Sequence, residues 1–282
     1  MKNIVVGIDF SENSINSLKH AIAIALKTGA ALHLVWVKTP GVTKGLGESN
    51  IDDYTRKANK KLQELLKACK AETPKSAAQS VILEGKPFVE IPKYASNLEN
   101  AIIVIGTHGI SGFEERFIGS NAFKTIVASP VPILILREGI QINRDLTQIF
   151  VPIDTSFETL QKVKPAITFA KSFAAKIIIL GLYPPKNHDD KHVVEVQVGH
   201  AAKLCMIANV RYETEVHSYK GNLSNAIVEY GKKHDVNMIA VMKEAETDVS
   251  DFWLGNAVQQ LLPLSPIPLL IIPNINHFSI TK

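Results

Sequence analysis

Unbroken apolar runs, bounded by glycine, proline or polar residues, recur along the chain. They alternate with stretches in which apolar residues return every three or four positions. The first run, Asn3 to Asp9 (NIVVGID), has no in-and-out alternation and predicts a strand buried on both faces. Ser11 is placed to cap a helix from Asn13 to about Lys27, whose Leu18, Ala21, Ile22 and Ala25 share one face, and Gly29 stops it. Ala31 to Val37 predicts the second strand, Thr39 to about Asp52 a loop, and Asp53 to Cys69 a long helix striped by Leu62, Leu65, Leu66 and Cys69. A strand at Ala78 to Leu83, a helix from Pro87 to about Ser96, a strand at Ala101 to Ile105, a helix from Gly119 to Ala128 and a strand at Val131 to Leu136 follow. This order predicts an α/β fold, an open, doubly wound parallel sheet with helices on both faces.

The same order then begins again. Gln148 to Asp154 (QIFVPID) matches Asn3 to Asp9 at an offset of 145, which also places Leu182 under Val37. Further on, Gly221 matches Gly85, Gly255 matches Gly119 and Pro268 matches Pro132, all at an offset of 136. The difference, nine residues, is most simply a shorter loop after the second strand of the second copy. The chain therefore reads as two tandem domains, 1–138 and 146–282, joined by a short polar segment.

Composition narrows the classes. The 282 residues are 46% hydrophobic and 21% charged, with 16 Gly and 14 Pro, as in an ordinary folded protein. A net charge of +4 without a Lys/Arg-rich block argues against a nucleic-acid surface. Cys69 and Cys205 have no CxxC or clustered-histidine context, so neither a disulfide framework nor a zinc site is expected. Their matching helix positions suggest core packing. Met1 leads at once into a strand, and the most apolar helical stretch falls short of the about 20 residues a membrane span needs, so a cytoplasmic protein with no membrane partner is expected.

The chemistry-bearing stretch is Ile102 to Ser120. A buried strand runs into Gly106, Thr107, His108 and Gly109, and a second glycine, Gly119, precedes Ser120 and Asn121 at the start of a helix. Glycine at 106 and 109 would let an anion approach the backbone, and the free N–H groups of the helix start would bind it. Asp9, at the end of the first strand, falls on the same carboxyl edge of the sheet, where such folds take ligands. Tight strand-to-helix turns also use glycine for structural reasons alone.

The opening VVGIDFSENS, the strand ending in Val37, the Gly106-x2-Gly109-x9-Gly119-Ser120 spacing and the closing PVPILIL resemble the universal stress protein family, and the whole chain resembles a tandem two-domain member. The resemblance implies two five-stranded sheets of order 3-2-1-4-5 and pairing of the two repeats through their last strands, with a further homodimer as an open state. It implies adenine-nucleotide binding, with ATP first and ADP or AMP as alternatives, and Mg²⁺ accompanying the nucleotide. The residue matching Val37 would meet the adenine through its backbone, and that matching Asp9 would lie by base and ribose. Gly106 and Gly109 would line ribose and phosphates, and Gly119, Ser120 and Asn121 would hold the phosphates. Gly7, where many members carry Pro, and Asn121, usually smaller or apolar, depart from the pattern.

The second repeat departs further. Met242 stands in place of Gly106, Ala245 of Gly109 and Asn256 of Ser120, while Glu244 and Glu246 add negative charge. This repeat is expected not to bind ATP through its loop, and to serve packing or another ligand. The Gly41 to Gly47 segment lacks the Gly-Lys-Ser/Thr ending of a phosphate loop and reads as a flap. His188 to His192 contains metal-capable groups in a composition usual for solvated loops, and no metal site is assigned. His108 is a candidate phosphate donor or a surface histidine, and Phe252 and Trp253 read as lid or interface hydrophobes. No nucleophile-base-acid set is visible. Asp9, Arg116 and Lys124 are the only candidates near a γ-phosphate, so a binding and regulatory role leads over a slow nucleotide hydrolase or nucleotidyl-transferring enzyme.

Overall fold

The computed structural model describes residues 1–40, 48–107, 118–137, 146–185, 188–243 and 256–274. Two compact units, Met1–Glu138 and Gly139–Lys282, divide the chain. In the first, strands β1 (Asn3–Gly7), β2 (Ala31–Lys38), β3 (Ala78–Glu84), β4 (Ala101–Gly106) and β5 (Ile133–Leu136) alternate with helices α1 (Glu12–Thr28), α2 (Glu48–Glu72), α3 (Pro87–Ser96) and α4 (Ser120–Ala128). The second has strands β6 (Gln148–Ile153), β7 (Lys176–Tyr183), β8 (Tyr212–Ser218), β9 (Met238–Met242) and β10 (Leu269–Ile272). Its helices are α5 (Val163–Phe173), α6 (His188–Ile207), α7 (Leu223–Lys233) and α8 (Asn256–Leu264), and a 3₁₀ turn, Phe157–Lys162, leads into α5.

Neighbouring strands are parallel in both units, in the orders β3-β2-β1-β4-β5 and β8-β7-β6-β9-β10. This is the 3-2-1-4-5 order the resemblance implies. The central strands explain their unbroken apolar runs: Ile4, Val5 and Val6 in β1, and Ile149, Phe150 and Val151 in β6, are fully buried. Val6 pairs with Leu34 on one side and Val104 on the other, as Phe150 does with Ile178 and Ile239. Strands β3 and β8, at the ends of the two orders, have no fully buried position and mix half-buried with exposed residues, several of them polar.

Helices cover both faces. Ile91 of α3 lies against Gly7 on one, and Asn13 and Ser17 of α1 lie against Gly106 on the other. Ser11 caps α1, accepting from Ser14 N at 3.2 Å, and Gly29 ends it in the left-handed region at φ 71°. The equivalent of Gly29, Ala174, ends α5 in the same left-handed conformation, at φ 52°. The turns before β5 and β10 are also alike. Ser129 Oγ donates to Val131 O at 2.7 Å, and Ser265 Oγ to Ile267 O at 2.8 Å.

Helix α2 corrects the sequence reading. It starts at Glu48, inside the segment expected to be a loop, and runs to Glu72. Its first turns (ESNID) are mostly polar, so no apolar stripe marks them, yet backbone hydrogen bonding continues through them. Among the described residues no helix is long and apolar enough to cross a membrane.

Candidate nucleotide-binding edge of the first repeat

At the carboxyl end of β1, Ile8 N still donates to Val35 O at 2.8 Å, after which the chain leaves the sheet. Phe10 takes a left-handed conformation, φ 65°, and turns the chain toward α1. Asp9 is held in this turn. Its Oδ1 accepts from Ser11 N at 3.0 Å and Ser11 Oγ at 2.5 Å, while its own N–H donates to Ser14 Oγ at 3.4 Å. Both serine contacts fall on Oδ1.

Val37 lies two residues beyond Val35 on β2, so its N–H and C=O point toward β1 as those of Val35 do. There β1 has already ended. The main chain of Val37 thus faces the crevice beside Asp9, while its side chain is buried.

Gly106 closes β4, opposite Leu136. A Cβ here would sit 3.1 Å from Asn13 Cβ, 3.2 Å from Asn13 O and 3.3 Å from Ser17 Oγ. The missing side chain therefore faces α1, where Asn13 and Ser17 leave little room for a Cβ. Beyond it, Thr107 N donates to Leu136 O at 3.0 Å, and Gly119 N donates to Thr107 O at 2.8 Å. These bonds bring Gly119 back to the end of β4. Gly109, together with His108 and Arg116, lies outside the described residues.

Gly119 is the N-cap of α4 and offers no side chain to it. The first intrahelical bond is Phe123 N to Gly119 O, 3.0 Å, which leaves the N–H groups of Ser120, Asn121 and Ala122 without helical acceptors. No acidic residue occupies this turn, and Ser120 and Asn121 are exposed. An anion placed there meets free donors and the positive end of the helix dipole. Nearby, the ammonium groups of Lys86 and Lys124 lie 5.9 Å and 5.1 Å from the ring centre of Phe88.

The second repeat keeps the start of this arrangement and loses the rest. Asp154 Oδ1 accepts from Ser156 N at 2.8 Å and from Ser156 Oγ, and Asp154 N donates to Thr159 Oγ1 at 3.3 Å, reproducing the Asp9 turn position for position. The helix that follows opens as a 3₁₀ turn packed on β9, and Met242 stands where Gly106 does. Lys162 occupies the position of Ser17 and is only 3% exposed. Burial pushes its pKa down, against the opposing pull of the Asp154 carboxylate. The motif-based reading passed over this residue, although the offset of 145 pairs it with Ser17 directly. Ala245, Glu244, Glu246, Phe252, Trp253 and Gly255 lie outside the described residues, as does the Gly41 to Gly47 segment.

A polar cluster away from the edge also escaped the motif reading. His33 on β2 is buried, with Nδ1 2.8 Å from both Tyr94 Oη and Gln79 Nε2, and Nε2 2.9 Å from Asn3 Oδ1. Desolvation lowers its pKa, and the amide donor at Nδ1 fits a neutral ring protonated at Nε2. In the second repeat Ile178 replaces His33 and Glu215 replaces Gln79, while Tyr230 replaces Tyr94. The Tyr230 hydroxyl is buried without a partner in hydrogen-bond geometry, and burial, reinforced by the charge of Glu215, pushes its pKa up to about 12. Cys69 and Cys205 are both buried, and desolvation raises each thiol to about 11. Among the described residues no group of His, Cys, Asp and Glu side chains is arranged to hold a metal ion.

The Universal stress protein family matches the chain twice, over residues 1–137 and 146–273. A universal stress protein of Methanocaldococcus jannaschii is 31% identical over 140 residues, covering 49% of this chain and 82% of the relative. One from Bacillus subtilis is 29% identical over 143 residues, covering 47% of this chain and 97% of the relative. The crystal structure of a universal stress protein from Archaeoglobus fulgidus has the same fold, with a TM-score of 0.77 at 19% identity over 96% of both chains. Two matched segments, each with the same strand order and the same aspartate turn, make this chain a tandem member of the universal stress protein family.

Proposed function

We propose that this protein is a cytoplasmic nucleotide-binding stress or regulatory protein that holds ATP, with Mg²⁺, in its first repeat. The observation that carries the reading is the helix start at Gly119, Ser120 and Asn121, which has no side-chain cap and no acid in its first turn. It shares a sheet edge with the Asp9 carboxylate and the outward-facing main chain of Val37. In this reading Val37 meets the base, Asp9 the ribose, Gly106 and Gly109 the sugar and phosphates, and the start of α4 the phosphates. The second repeat serves packing or another ligand, because Lys162 and Met242 fill the places of Ser17 and Gly106.

Calorimetric titration of the full chain with ATP and Mg²⁺ tests this. One molecule bound per chain is expected, and Ser120→Glu, which puts a carboxylate at the helix start, should abolish binding without unfolding the protein. Two equivalent sites, or none, would overturn the reading. Phosphate release faster than about 1 per second would favour a hydrolase over a binding protein.

A further inference from the structure

Two lysines of the first repeat, Lys86 and Lys124, meet over one aromatic ring beside the start of α4. Lys86 is the N-cap residue of α3, Phe88 lies in that helix's first turn, and Lys124 lies one turn past Ser120 on α4. Helices α3 and α4 pack against each other, and both ammonium groups sit over the Phe88 ring. Lys86 gives α3 no side-chain cap, just as Gly119 gives none to α4. Two helix starts without side-chain caps and two cations therefore share the carboxyl edge. Glu90, the one acid in the first turn of α3, folds over Gly85 and offsets part of that charge.

The second repeat has dismantled the same arrangement. Asn222, Ser224 and Gln260 replace Lys86, Phe88 and Lys124. Asn222 Oδ1 caps α7 by accepting from Ser224 N at 2.7 Å and Asn225 N at 3.4 Å, and its Nδ2 donates to Gln260 Oε1 at 2.6 Å. These groups satisfy one another and carry no charge. The cations are thus present in the repeat that carries Ser17 and Gly106, and absent from the repeat that carries Lys162 and Met242 at those positions.

We propose that Lys86 and Lys124 clamp the terminal phosphates of a nucleoside triphosphate whose inner phosphate is held at Ser120, so that the first repeat prefers ATP to AMP. The inference rests on the nucleotide reading above. Four residues of helix place Lys124 about 6 Å along the axis from Ser120, a distance its flexible stem can span. A monophosphate ends at Ser120 and gains nothing from either lysine, whereas the outer phosphates of ATP extend toward both. Phe88 confines the two side chains near that path, which lowers the entropy lost when they engage.

Titration of the full chain with ATP, ADP and AMP, in the wild type and in Lys86→Gln/Lys124→Gln, tests the clamp. For two partly exposed charge contacts the double variant should bind ATP about tenfold more weakly and AMP within about twofold of the wild type. The wild-type preference for ATP should also shrink in high salt, and that of the variant should not. Unchanged ATP affinity in the variant, or an equal loss for AMP, would overturn the clamp while leaving the nucleotide site standing. A wild type that binds none of the three would overturn both. A melting temperature equal to that of the wild type shows that any loss arises at the site.

Discussion

Lys162 is buried behind Asp154 at the position where the first repeat places Ser17. A small hydroxyl in one copy and a cation in the other stand behind two aspartate turns that share their serine bonds. The ammonium carries the cost of desolvation, whereas Asp154 is half exposed and already bonded to Ser156. Lys162→Met should therefore stabilise the protein by about 1 kcal/mol at neutral pH, because the carboxylate left behind keeps its own partners. The folded pKa of Lys162 lies below its unfolded value of 10.5, so the buried charge lowers stability below the folded pKa, and that loss is relieved as pH rises toward 10.5. Chemical denaturation at pH 7 and pH 10 should show the advantage of the variant narrowing at the higher pH. A variant less stable than wild type at pH 7 would contradict this account.

Gly106→Ala tests the packing explanation for that glycine. The added methyl would meet the backbone oxygen of Asn13 at 3.2 Å, a neighbour that cannot rotate away. A loss of about 1–3 kcal/mol in urea denaturation is expected, with α1 displaced. No change in stability would mean that α1 is held less closely than its contacts imply.

Two helix ends make a reciprocal pair. Ala174→Gly should stabilise by about 0.5–1 kcal/mol, since the left-handed conformation at φ 52° costs alanine strain that glycine does not bear. Gly29→Ala should cost about 1 kcal/mol at φ 71°, although nothing lies within 4 Å of the new Cβ. Thermal melts of the two variants should move in opposite directions.

His33 supplies a pH dependence of defined sign. Its folded pKa lies below the unfolded 6.5, so its contribution is complete above pH 6.5 and is lost as pH falls toward the folded pKa, the unfolded chain taking up the proton first. Nitrogen chemical shifts should show the neutral ring protonated at Nε2 and a titration midpoint below that of an exposed histidine. A midpoint at or above 6.5, or a neutral ring protonated at Nδ1, would contradict the cluster geometry.

The matching tyrosines differ in the bonds they make. Tyr94→Phe removes the hydroxyl 2.8 Å from His33 and should cost about 1 kcal/mol. Tyr230→Phe removes a buried hydroxyl that lies by the Glu215 carboxylate without good hydrogen-bond geometry, and should cost less than Tyr94→Phe in the same denaturation assay.

The strands, their parallel order and the duplication follow from local features of the chain. A strand buried on both faces must be apolar throughout, as Ile4 to Val6 are, and a repeated order of such runs with glycines at constant offsets leaves little choice of topology. Ser11 and Gly29 likewise act within a few residues of their own positions. Other features depend on which distant segments meet. The start of α2 escaped because its polar first turns carry no apolar stripe. His33, Gln79, Tyr94 and Asn3 become one cluster only when three strands and a helix assemble. The glycine spacing singled out Gly106, but only the packing of α1 showed which way its missing side chain faces. Periodicity records whether a residue is inside or outside. Packing alone determines its neighbour there, and so makes the equivalent of Ser17 in the second repeat a buried cation.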